Sequence, residues 1–223
     1  MQVRNGYARP MSDAFQLIVD NDLDGLRQAL ADNPGIVYLR HQGGASLVAW
    51  AAYVGNVGAI SAIRAYIPEL DGYEAIILGE AARLESVLAD GWDANIPSRD
   101  GFLPLALAAF FGNAPAFERL LPLTRDVNVR ARNPQQVTPL HAACARRHTG
   151  MVEALLRAGA DPNLPQAAGF TPLHAAAQHG DASIAGLLLL FGADRSQKNE
   201  KGETAAVIAR AAGHEWLAER LAG

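Results

Sequence analysis

Short apolar clusters recur along this chain at helical spacing and break off at a glycine or an asparagine. From Leu23 to Leu30, for instance, Leu23, Leu26 and Leu30 share one side while Arg27 and Gln28 lie on the other, the pattern of a helix with one buried face. Gly72 to Leu78 and Ala81 to Leu88 form a similar pair around Gly79. The elements expected are pairs of short helices joined by tight turns. Helices this short are marginal alone in water and must be held by their neighbours.

The pattern is periodic. Thr138-Pro139-Leu140-His141-Ala142-Ala143 returns unchanged at Thr171-Pro172-Leu173-His174-Ala175-Ala176, 33 residues on, and a weaker copy starts at Thr204-Ala205-Ala206-Val207 after the same interval. Threonine suits the helix N-cap, and proline the first helical position, where no N–H is needed. Gly180 and Gly213 lie nine residues after Thr171 and Thr204, where a left-handed residue ends a helix. Met151-Val152-Glu153-Ala154-Leu155-Leu156-Arg157-Ala158-Gly159-Ala160-Asp161 aligns in turn with Ile184 to Asp194. A fixed period of this size marks a stacked repeat.

The phrase and its period resemble the ankyrin repeat, in two strong copies and several divergent ones over nearly the whole chain. The resemblance implies an all-α solenoid of stacked helix-turn-helix units with short finger loops, about seven units including caps. After a flexible leader over 1–11, one repeat domain is expected over 12–223, with units at about 12–42, 43–68, 69–98, 99–132, 133–166, 167–199 and 200–223. Ser12-Asp13 is expected to cap the first helix, and Asn21 to take the glycine position. The first and last units carry polar outer faces, as terminal repeats require. Trp50 stands where other units face the core and reads as packing. The third unit begins only 24 residues after Ser46, so its finger is expected to be missing and the stack to bend there. In the fourth unit Leu103 replaces the capping threonine, with Asp100 as a partial substitute. Arg147 stands where glycine is expected, a strained place for a left-handed residue.

Composition narrows the function classes. Half the residues are hydrophobic, the net charge is −4 and the pI is near 5.8, which argues against a general binder of nucleic acid or membrane surfaces. The single cysteine, Cys144, excludes an internal disulfide framework and fits a reducing cytoplasm. Residues 1–10 lack the apolar core of a signal peptide, and the longest strongly apolar run, Ile184 to Phe191, is too short to span a bilayer.

No phosphate-cradling, zinc-protease or nucleophile-elbow motif is present, and no cofactor is expected. His141, Cys144 and His148 stand at i, i+3 and i+7 and offer a metal or thiol site as a minor alternative. The structural reading is stronger. His174 repeats His141 with Ala177 in place of the cysteine, and His148 lies beyond the expected helix break.

The resemblance implies non-catalytic binding of a partner protein on the concave groove and fingers, where the two residues before each turn glycine project. Phe110 and Phe111 form such a pair and cannot both face the core. They serve as apolar anchors or pack beneath an adjacent finger. Around them Arg125, Arg130, Arg132, Arg146, Arg147 and His148 are opposed mainly by Asp126, which favours an acidic partner segment or is simply a solvated surface. The expected contact set is Phe110, Phe111, Arg130, Arg132, Arg146, Gln178 and His179. The protein is expected to be a monomer. Weak self-association through Leu190-Phe191, where the outward charges of the equivalent helix are lost, is the rival reading.

Overall fold

The computed structural model describes residues 13–223; the leader and Ser12 lie outside the described residues. Seven helix pairs follow one another: α1 (Asp13–Val19) and α2 (Leu23–Asp32), α3 (Leu47–Tyr53) and α4 (Val57–Arg64), α5 (Gly72–Leu78) and α6 (Ala81–Ala89), α7 (Pro104–Phe111) and α8 (Ala114–Leu120), α9 (Pro139–Ala145) and α10 (Thr149–Arg157), α11 (Pro172–Gln178) and α12 (Ala182–Leu190), α13 (Ala205–Ala211) and α14 (Glu215–Ala222). Among the described residues no strand forms. Isolated bridges between Arg40 and Ser46 and between Lys198 and Thr204 close two finger loops. The chain divides into two compact units, Met1–Glu74 and Ala75–Gly223.

In the first unit α1 packs on α2 and α3, and α4 packs on α2 and α3. Ile18, Leu26, Leu30, Leu47 and Ile63 are fully buried between them. The His41 ring stacks on Trp50 at 4.0 Å, and Phe15 meets both edge-on. Trp50 is therefore part of an aromatic cluster, as packing requires, although its buried Nε1 has no hydrogen-bond partner among the described residues. Helix α4 stops at Arg64, short of the Ile67 that Pro68 alone would allow. Only residues 65–71 then lead to α5, whereas 158–171 separate α10 from α11, so the third unit has no finger. A local capping box starts α5 instead: Asp71 accepts from the Glu74 N–H at 2.8 Å and Glu74 from the Asp71 N–H at 3.2 Å. Burial, with the Asp71 carboxylate adding to it, raises the Glu74 pKa.

In the second unit the first helices α7, α9, α11 and α13 pack in a row, each on the next, and the second helices pair as α6 with α8 and α10 with α12. Three columns of hydrogen bonds tie these repeats together. Along the fingers, the N–H groups of Arg132, Ala167 and Glu200 donate to the carbonyls of Gly101, Gln135 and Ala168 at 2.8, 3.1 and 3.0 Å. At the loops after the second helices, Asn95, Asn128 and Asn163 each bridge to the following repeat. Their amides donate to Leu123, Gly159 and Gly192 carbonyls at 3.0, 3.1 and 2.9 Å. Their side-chain oxygens accept from the N–H groups of Arg125, Asp161 and Asp194 at 2.8, 2.8 and 2.7 Å.

The third column explains the histidines of the repeated phrase. His174 Nδ1 accepts from the Thr171 N–H at 3.0 Å, so its proton sits on Nε2, which donates to the Glu203 carbonyl at 3.2 Å. His141 is placed alike, with Nδ1 2.8 Å from Thr138 Oγ1 and Nε2 donating to the Phe170 carbonyl at 3.0 Å. Each neutral ring thus joins its own helix cap to the next finger. Leu103 makes no such side-chain cap. Asp100 accepts from Ser98 Oγ inside its own finger.

The turns between paired helices show a matching economy of space. Gly112 and Gly180 have φ of 69° and 64°, and a Cβ at either would come within 2.6 or 2.5 Å of the ring of His148 or His214 in the next repeat. Between them Arg147 adopts φ 60°, the strained conformation expected, and the next repeat offers Asp181, which accepts its guanidinium at 3.0 Å while capping α12 through the Ile184 N–H at 3.1 Å.

Two predictions follow from these contacts. Burial holds the His141 imidazole down at about 4, against an ordinary value of 6.5. The unfolded chain therefore binds a proton first, so the contribution of His141 to stability is complete above pH 6.5 and is lost as pH falls toward 4. In urea denaturation at pH 7.5 and 4.5, wild type should lose about 2 kcal/mol more than His141→Gln on acidification. For the turn, Arg147→Gly should change stability by less than about 1 kcal/mol, because relief of left-handed strain offsets a half-exposed ion pair. Asp181→Ala should cost about 1–2 kcal/mol through the lost cap. In that background Arg147→Gly should become stabilising, as a thermal-melt double-mutant cycle would show.

Candidate recognition surface

Phe110 and Phe111 are the last residues of α7, stopped by the left-handed Gly112. Both rings are half-buried and neither joins the core. They meet edge-on, with centroids 5.2 Å apart and planes at 80°, the arrangement that aromatic quadrupoles favour. The Arg146 guanidinium, from the end of the next first helix, lies over the Phe110 ring at 5.0 Å from its centroid. Phe110, Phe111 and Arg146 are thus one cluster. Gln178 and His179 occupy the corresponding register at the end of α11 and are exposed. Arg130 and Arg132 are exposed on the finger that precedes α9.

The six positive groups named from sequence do not act alike. Arg125 pairs with Asp93 at 3.2 Å and Arg147 with Asp181 at 3.0 Å. Burial, then the Arg146 charge, lowers the His148 pKa, while its ring reaches back to the Phe110 carbonyl. Asp126, expected to oppose the cluster, accepts instead from the Asn128 N–H of its own loop at 2.8 Å. Arg130, Arg132 and Arg146 remain exposed with no carboxylate partner among the described residues. Arg130 lies close enough to His141 to oppose its protonation.

His141, Cys144 and His148 do not form a ligand set. Both nitrogens of His141 are committed to Thr138 and Phe170. Cys144 is fully buried, and burial, with the Asp181 charge adding to it, pushes its thiol pKa far up, away from the reactive thiolate. His148 follows the left-handed Arg147 and is outside α9. Among the described residues no group of three or more His, Cys, Asp or Glu is arranged to hold a metal ion, and no helix is long and apolar enough to cross a membrane.

Sequence reasoning missed the asparagine column. Its signal was present in Asp93-Ala94-Asn95, Asp126-Val127-Asn128 and Asp161-Pro162-Asn163, where each aspartate turns the loop and each asparagine bridges onward. Ser196 stands in that place in the last loop, where its N–H and hydroxyl donate to Asp194.

Comparison with known proteins agrees with this architecture. Ankyrin repeat and SOCS box protein 2 of Rattus norvegicus is 32% identical over 115 residues, covering 50% of this chain and 17% of that protein. Alpha-latrocrustotoxin-Lt1a of Latrodectus tredecimguttatus is 34% identical over 89 residues, 40% of this chain and 6% of the toxin. Palmitoyltransferase Hip14 of Drosophila melanogaster is 30% identical over 105 residues, 46% of this chain and 16% of the enzyme. The matches span less than a fifth of each of these relatives. A family model of three ankyrin repeats matches residues 18–166, and a single ankyrin repeat model matches 168–200. With the paired helices, fingers and bridging histidines, these matches show that the chain belongs to the ankyrin repeat family.

Proposed function

We propose that this protein is a non-catalytic scaffold that binds a partner protein across the concave groove and fingers of the second unit. Ankyrin repeats in general mediate protein–protein interaction; the choice of surface rests on this chain's own residues. One observation carries it: half-buried Phe110 and Phe111 stand beside Arg146, which has no carboxylate partner among the described residues. Arg130 and Arg132 extend the positive charge along the finger, and Gln178 and His179 extend the polar contact, so an acidic partner segment is the best match. The scaffold acts as a monomer in the cytoplasm, without a cofactor, nucleic acid or membrane contact. The free, buried Cys144 accords with a reducing compartment.

A pull-down from source-cell lysate tests the reading. The partner retained by wild type should be lost from Phe110→Asp/Phe111→Asp and reduced at least tenfold with Arg130→Glu/Arg132→Glu, both checked for folding by circular dichroism. Retention by both folded variants would move the interface elsewhere. Thiol titration should find Cys144 unreactive until the chain unfolds; rapid labelling of the folded protein would instead favour a thiol site.

Self-association is the second reading, favoured by Leu190, 79% exposed on the uncharged α12. Concentration-dependent mass by light scattering, abolished by Leu190→Glu, would establish it. A constant monomer mass would remove it.

A further inference from the structure

The first unit holds a cleft of its own, with a chemistry unlike that of the surface on the second. About 380 Å³ in volume, it is lined by Phe15, Gln16 and Val19 of α1, by the finger stretch Leu39 to Gln42 and by Trp50 of α3. That volume lies in the range of small-molecule sites. The apolar part of the lining is aromatic. The His41 and Trp50 rings stack, Phe15 meets both edge-on, and all three are only half-buried. Val19 of the same lining is 51% exposed.

The polar part of the lining is rich in donors. The Gly43 N–H donates to His41 Nδ1 at 3.3 Å, so the proton of the neutral ring sits on Nε2, which has no acceptor among the described residues. Arg40 stands 3.9 Å from Asp71, at the far limit of an ion pair. Trp50 Nε1 is buried without an acceptor among the described residues, a deficiency that native structures seldom leave standing. No carboxylate lines the cleft, and Asp20, which follows α1, is engaged by the Gln16 amide at 2.8 Å. A flat apolar wall edged by a cation and free donors complements a planar group with a negative charge. A carboxylate takes charge-assisted bonds from a guanidinium and an imidazole N–H. An aryl ring adds packing against aromatic neighbours, whereas an amine is repelled by Arg40.

We propose that this cleft binds a small aromatic carboxylic acid, its ring against Phe15 and Trp50 and its carboxylate toward Arg40 and His41. The site uses residues of the first unit alone, so it stands or falls independently of recognition by the second.

The test is titration of the isotope-labelled full chain with benzoate, naphthoate and biphenylcarboxylate, following the indole N–H signals by NMR. Trp92→Phe and Trp216→Phe identify the Trp50 signal by elimination. At least one acid should bind saturably and move that signal while those of Trp92 and Trp216 stay in place. The matching neutral alcohol should bind about tenfold more weakly, the loss of roughly one charge-assisted bond. Arg40 is exposed, and Arg40→Gln, checked for folding by circular dichroism, should weaken the acid by the same factor and leave the alcohol unaffected, the signature of direct coupling. No saturable binding by any of the three acids would overturn the proposal. So would equal affinity for acid and alcohol, a shift confined to Trp92 or Trp216, or undiminished binding of the acid by Arg40→Gln.

Discussion

Every described helix of this protein is too short to persist by itself, and that constraint governs the rest. The described helices run from 7 to 10 residues, below the length at which an isolated helix is stable in water. Apolar burial between repeats provides the main driving force, but it does not fix register, since alanine and leucine faces slide at little cost. Register comes from the columns of directional bonds. The histidine column is the most demanding, because each ring must be neutral, carry its proton on Nε2, and meet both its own cap and the next finger. The same rings that hold the stack thereby have both nitrogens engaged.

A second consequence concerns the turns. In the second unit, the residue that ends a first helix lies against the residue that starts the second helix of the next repeat, so the two positions are not independent. Glycine goes with histidine at Gly112 and His148 and again at Gly180 and His214. Arginine goes with aspartate at Arg147 and Asp181. The strain stored at Arg147 is held by that partner, so the ion pair is a packing device and leaves Arg147 no free charge for recognition. Subtracting such internal pairs is what reduces a diffuse basic cluster to Arg130, Arg132 and Arg146.

Much of the fold was legible in the chain because its signals are local. Thr-Pro caps and leucine spacing announce the helices of the fifth and sixth units, and the shortened third unit follows from counting. What stayed hidden was whatever depends on a neighbour some 30 residues away. Asn95, Asn128 and Asn163 look like ordinary loop residues until the next loop is laid against them. Arg125 looks free until Asp93 appears. The candidate surface was legible in part, since two adjacent phenylalanines on one helix must leave at least one ring outside. The placement of Arg146 over the Phe110 ring belongs to tertiary structure alone.

The claim at the centre of this account is that recognition occurs on the first-helix and finger face of the second unit. Site-specific photo-crosslinking measures that most directly. A photoreactive amino acid is placed in turn at Gln178, on the end of α11, and at Glu153, on the outer side of α10, and the captured partner is added. The account predicts a strong crosslink from position 178 and none above background from position 153. Crosslinking from 153 alone would contradict it and put the partner on the second helices.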